Sequence, residues 1–138
     1  MPIMLLDVPL GARADAKRKM VEKMTAALDE TFHIPDVRIF IREHGAGNAA
    51  QDGRFDPEAV RAVGTLEIPR LRSVDARRKL AGKLHAAFAE AYAGIGNPDG
   101  FAVILHENAP ENGIAGGRLI SDIPEAMEFT ERLNGDAA

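Results

Sequence analysis

The chain is written twice. Leu6–Phe32 (LDVPLGARADAKRKMVEKMTAALDETF) aligns without a gap on Leu66–Tyr92 (LEIPRLRSVDARRKLAGKLHAAFAEAY), sixty residues later. Leu6, Pro9, Asp15, Ala16, Arg18, Lys19, Lys23, Ala26, Ala27 and Glu30 recur as Leu66, Pro69, Asp75, Ala76, Arg78, Lys79, Lys83, Ala86, Ala87 and Glu90. After a short insertion, VRIFIREHGAGN (Val37–Asn48) falls over FAVILHENAPEN (Phe101–Asn112). A duplication of this kind restricts the fold to two copies of one supersecondary unit sharing a core.

Each copy reads as strand, helix, strand. Ile3–Val8 and Val63–Ile68 are short apolar runs of the kind strands make when both faces are covered. Met20, Met24, Ala27, Leu28 and Phe32 then recur at helical spacing, as do Leu80, Leu84, Ala87, Phe88 and Ala91. Asp15 and Asp75 stand at the helix starts, where a carboxylate suits the positive end of the dipole. Pro35 and the stretch Gly94–Pro98 end the helices, and Val37–Ile41 and Phe101–Leu105 return as strands. A crossover of this type pairs its strands in parallel. The expected fold class is α+β: tandem β-α-β units in a four-stranded, mainly parallel-paired sheet with two helices on one face. The repeats span about residues 1–48 and 63–112 of one domain covering 1–138, followed by a tail at 118–138 with a short helix near Ile123–Leu133. The bare sheet face needs another subunit.

The composition excludes several classes. No cysteine is present, so disulfides and thiolate catalysis are out. No run is apolar enough to span a membrane. With no charged-then-apolar leader, a cytoplasmic location is expected. A net charge of −4 and a pI near 5.6 disfavour nucleic acid. The four histidines show no metal-ligand spacing, and His44 and His106 follow strands at non-equivalent repeat positions. Ser73 has no local histidine partner for a Ser-His-Asp site. Gly113, Gly116 and Gly117 shape a turn or hairpin and are followed by no P-loop lysine. Pro2 admits two readings. It suits a strand start, or loss of Met1 would leave it as a free secondary amine.

The opening PIMLLDVPLGA resembles that of the 4-oxalocrotonate tautomerases, and ILHENAPENGIAGGRLISD resembles the P-x-E-N-W-G-I-G-G segment of the same family. The likeness spans both halves and points to the tautomerase superfamily, whose fused members include types similar to malonate semialdehyde decarboxylase and cis-3-chloroacrylic acid dehalogenase. It implies a homotrimer needing no cofactor and no metal, acting on a small carboxylate. Pro2, exposed by removal of Met1, would be the catalytic acid/base for keto–enol proton transfer in a 2-hydroxy-dienoate or enol-pyruvate. Burial among apolar groups lowers an amine's affinity for its proton, which suits that task.

The run IPRLRS resembles the S-R-P-R-S segment of the decarboxylases, so Arg70 and Arg72 become substrate ligands through their planar forks. Arg38 matches another arginine of the small tautomerases and reads equally as an outward-facing strand residue; Arg13 stands one place beyond the usual one. Asp36 falls on the aspartate that positions water in the decarboxylases, although an aspartate after proline is also an ordinary turn residue. The family's tryptophan is absent from ENGIAGG, so an aromatic wall is missing or comes from Phe40, Phe101 or Tyr92. Decarboxylation or hydration, dehalogenation, and an inactive trimeric binding protein are the alternatives to tautomerisation.

Overall fold

A computed structural model describes residues 1–135; the last three residues of the expected tail, 136–138, lie outside the described residues. The order is β1 (Ile3–Pro9), α1 (Ala14–Phe32), β2 (Arg38–His44), β3 (Val63–Ile68), α2 (Val74–Ala91), β4 (Ala102–Glu107), a hairpin of β5 (Ile114–Ala115) and β6 (Arg118–Leu119), and α3 (Pro124–Gly135). The sheet runs β2-β1-β3-β4. The outer pairs are parallel, as a strand–helix–strand crossover requires, and the central β1–β3 pair is antiparallel.

In that central pair Leu5 stands opposite Thr65. These two residues are also equivalent in the repeat, so the pseudo-twofold axis passes between them. A twofold perpendicular to the sheet carries both helices to the same face. Beneath them lie Met4, Leu6, Val8, Leu66 and Ile68 from the sheet, and Met20, Met24, Leu28, Leu80, Leu84 and Phe88 from the helices, all fully buried. Phe88 stacks between Tyr92 and Phe101, with ring centroids 4.5 and 4.1 Å away. Gly64 faces the same core. A Cβ there would come within 3.2 Å of both Leu6 and Met4.

The repeated charges explain themselves between the helices. Glu90 on α2 meets Lys19 (2.8 Å) and Lys23 of α1, and Glu30 on α1 meets Lys79 (2.9 Å) and Lys83 of α2. These bonds push the Glu30 and Glu90 carboxyls down to about 2. The pairs are exposed and solvent-screened, so they orient the helices more than they stabilise them. Ser73 caps α2 by accepting the Ala76 amide (3.1 Å), a role the sequence reading left unassigned.

The face away from the helices is open. Phe40, Leu5, Thr65 and Ile104 form one straight row across all four strands, with Phe40 55% and Ile104 53% exposed. The next row reads Arg38, Ile3, Glu67, His106.

Two substitutions test the core. Leu66→Ala should cost about 2–5 kcal/mol in urea denaturation, because a fully buried side chain is removed from a packed central strand; a loss under about 1 kcal/mol would contradict this packing. The Tyr92 hydroxyl is buried without a hydrogen-bond partner, and burial pushes it up to about 12. Tyr92→Phe should therefore leave stability unchanged or raise it by about 1 kcal/mol.

Candidate active site

The antiparallel centre brings the chain's start to the end of β3. Ile3 stands opposite Glu67, and Met1 and Ile3 both line a cavity of about 350 Å³. Its floor is the end of β3 (Glu67, Ile68, Pro69), one wall is the segment Asn108–Ile114, and α3 closes it with Ala126 and Thr130. The lining is mostly aliphatic, and neither arginine nor lysine is part of it.

The terminal amine, on Met1 in this structure, is held below its ordinary value of 8.0 by burial, and the negative charge of Asp36 partly opposes that shift. Pro2 lies between two cavity-lining residues. It is buried, and its carbonyl accepts the Arg38 amide (3.1 Å). Asp36 adopts a left-handed backbone (φ 72), which aspartate tolerates. It is chelated by Arg38, with Nε 3.1 Å from Oδ1 and Nη2 3.0 Å from Oδ2. The bond to Arg38 lowers the Asp36 carboxyl. Asp36 and Arg38 thus sit as a neutralised pair beside the chain's start.

Arg70 and Arg72 occupy the loop from β3 to α2, one and three residues past Pro69 of the floor. Both side chains are exposed and neither forms an ion pair among the described residues. Arg13 pairs with Asp15 (3.2 Å), far from the cavity lining. The structure therefore brings Pro2, Asp36 and Arg38 together at the chain's start, and none of these three, nor Arg70 or Arg72, is part of the cavity lining.

The expected aromatic wall needs correction. Phe101 and Tyr92 stack in the core because α2 and β4 turn them inward, and Phe40 lies on the open sheet face. None of the three lines the cavity, whose corresponding surface is aliphatic, with Ile34, Ile114 and Ile120. Two of the three glycines meet expectation, Gly116 (φ 57) and Gly117 (φ 80) turning the β5–β6 hairpin, whereas Gly113 is extended and lines the cavity.

Several polar groups went unread in the sequence. Glu67 and Asn108 line the cavity, and Asn108 Nδ2 donates to Glu67 Oε2 (2.7 Å) while His106 Nδ1 lies 3.0 Å from Oε1. The Asn108 bond, and then His106, lower the Glu67 carboxyl. The repeat offers a counterpart at Asp7, which Arg42 clamps through both nitrogens (2.9 and 2.7 Å) and His44 approaches at 2.8 Å. Arg42 and His44 are the repeat equivalents of His106 and Asn108. The repeat equivalence of Asp7 with Glu67 is the signal that could have found both clusters. No group of three potential metal ligands occurs among the described residues, and no helix there is long and apolar enough to cross a membrane.

Residues 65–123 match the sequence model of the Tautomerase enzyme family. The chain is similar to a fused 4-OT solved as an asymmetric trimer (TM-score 0.77, 18% identity, 88% of this chain and 98% of that one). It is similar to a protein crystallised after inactivation by 2-oxo-3-pentynoate (TM-score 0.75, 21% identity, 88% and 98%). It is also similar to malonate semialdehyde decarboxylase (TM-score 0.61, 22% identity, 99% of each chain). No curated protein matches it. The fold is that of the tautomerase superfamily, and residues 65–123 carry the pattern of the Tautomerase family.

The amine supplies a prediction. In an NMR titration the terminal amine should lose its proton below its ordinary value of 8.0, because burial favours the neutral form. Asp36→Asn removes a charge that holds the proton, so it should move the titration lower still. A rise in the mutant would contradict this placement of Asp36.

Proposed function

We propose that the chain is a tautomerase whose working group is the amine of Pro2, freed by removal of Met1. The observation that carries this reading is that Met1 and Ile3, on either side of Pro2, line an aliphatic cavity, and that burial drives the terminal amine toward its neutral form. The likeness of 88% of the chain to a fused 4-OT structure supports it.

The neutral amine accepts the hydroxyl proton of an enol-pyruvate or 2-hydroxy-dienoate. The oxygen's electron pair forms the carbonyl, the carbon–carbon double bond shifts, and the distal carbon takes the proton back from the ammonium. The net change is an isomerisation, and the base is regenerated. Arg70 and Arg72 bind the substrate carboxylate and stabilise the charge that develops on the dienolate. Arg38, chelated by Asp36, offers its remaining guanidinium N–H groups as hydrogen-bond donors near the chain's start.

The open row Phe40–Leu5–Thr65–Ile104 calls for burial against other copies. A homotrimer is the assembly proposed, in keeping with the trimeric relatives.

One observation favours a second reading. Asp36 raises the amine's affinity for its proton, and a protonated amine with a water-positioning carboxylate suits a decarboxylase or hydratase. The pH profile separates the two. Tautomerisation falls as pH drops through the amine's value, because its base is lost. The hydratase-type reaction falls as pH rises through that value, because its acid is lost.

Intact mass paired with phenylenolpyruvate turnover is the decisive assay. Loss of Met1, with ketonisation that falls at least about a hundredfold in Pro2→Ala, is the expected result. A processed but inert chain would favour the decarboxylase or dehalogenase branch. A chain that keeps Met1 and turns over nothing would fit a binding protein.

A further inference from the structure

We infer that Asn134, on α3 outside the repeat, is a positioning residue that latches the Arg70–Leu71–Arg72 loop and fixes the two arginines for a carboxylate. The inference rests on the proposed role of those arginines. It starts from an asymmetry between the copies. The equivalent loop of the first copy, Leu10–Gly11–Ala12, is held by one backbone bond, from the Leu10 amide to the His44 carbonyl (3.2 Å). In the second copy side chains hold four consecutive backbone groups. The Arg70 carbonyl accepts from Asn134 Nδ2 (2.8 Å), and the Leu71 amide donates to Glu107 Oε1 (3.0 Å). The Leu71 carbonyl accepts from Arg77 Nε (2.7 Å), and the Arg72 amide donates to Asn134 Oδ1 (3.0 Å).

Asn134 suits the task because an amide both donates and accepts. Its Nδ2 also donates to the Thr130 carbonyl of its own helix (3.0 Å), which ties the loop to α3. It is buried, at 8% exposure, with its amide fully engaged on backbone groups. Arg77 pairs with Glu107, so α2, the end of β4 and the loop form a single polar network. The first copy has the matching pair, Lys17 with Glu43 (3.1 Å), but among the described residues it makes no bond to its loop.

Leu71 is buried while Arg70 and Arg72 are exposed on either side of it. The buried Leu71 anchors the loop between the two exposed arginine side chains. A buried network thus holds rigid a loop whose exposed cations lack partners. Fixing them before binding saves the ordering cost a mobile loop would impose. α3 also supplies Ala126 and Thr130 to the cavity wall, so one helix both shapes the cavity and holds the loop that carries the arginines.

The test is a mutant cycle on the full-length protein, read by calorimetric binding of phenylpyruvate and by phenylenolpyruvate kinetics. Asn134→Ala should weaken phenylpyruvate binding about tenfold and raise KM to match, with kcat within about twofold. In an Arg70→Ala/Arg72→Ala background the same substitution should change neither, because residues acting through one another are not additive. Equal losses in both backgrounds would make Asn134 merely structural and overturn the inference. A wild type that binds but does not turn over would sink the tautomerase reading, while the binding cycle still decides the latch. A wild type that does not bind overturns the latch together with the role of the arginines. Should Asn134→Ala fail to fold, Asn134→Ser, too short to span both backbone groups, carries the same comparison and the same expectations.

Discussion

The antiparallel pairing of β1 with β3 is the constraint on which the rest of the structure depends. A crossover unit can only pair its own two strands in parallel. Joining two such units through their first strands, head to tail, generates the twofold at Leu5 and Thr65. From it follow the common face for the helices, the shared core, and the reciprocal lysine–glutamate pairs between α1 and α2. It also brings the chain's first residues against the end of β3. A parallel junction would have carried them to the opposite end of that strand, away from Glu67 and Pro69.

A twofold makes two equivalent places, and the copies have diverged at them. Beside Glu67 the chain begins. Beside Asp7 stands Val63, in mid-chain, where no amine exists. The charge partners diverge in step. Asp7, with no amine near, is neutralised by both nitrogens of Arg42. Glu67 is held ionised by Asn108 and His106 instead and keeps an edge on the cavity. The loops follow the same division: a glycine-containing turn in the first copy, and a latched pair of arginines in the second. Duplication supplied the frame, and the chemistry proposed for it belongs to one of its two ends.

How much of this was legible in the sequence depended on the range of the interaction. The repeat, the change of hydrophobic period and the helix-ending prolines and glycines are local, and they placed the two β-α-β units. The register was not local. Nothing near Glu67 in sequence says that it will face Ile3, so only its equivalence with Asp7 hinted at a shared role. Asn134 was harder still, because it meets Arg70 and Arg72 more than sixty residues away, from a helix with no counterpart in the repeat. Tyr92 and Phe101 misled for a related reason. As aromatics near the site in sequence they looked like pocket walls, but the second copy needs them to fill its core beside Phe88.

The aliphatic lining sets the terms for any substrate. Walls that lower an amine's affinity for its proton do so by penalising charge, and they penalise a carboxylate in the same way. A carboxylate placed among Ile34, Ile68 and Ile114 would lose its hydration with no cation on the wall to replace it. On the proposed reading the charged end of a substrate is held by Arg70 and Arg72, exposed in the loop past Pro69, and its carbon skeleton enters the cavity toward the chain's start. On that arrangement an unsaturated acid with an apolar body is the better fit, because a second carboxylate at the far end would meet the ionised Glu67 and an Arg38 already neutralised by Asp36.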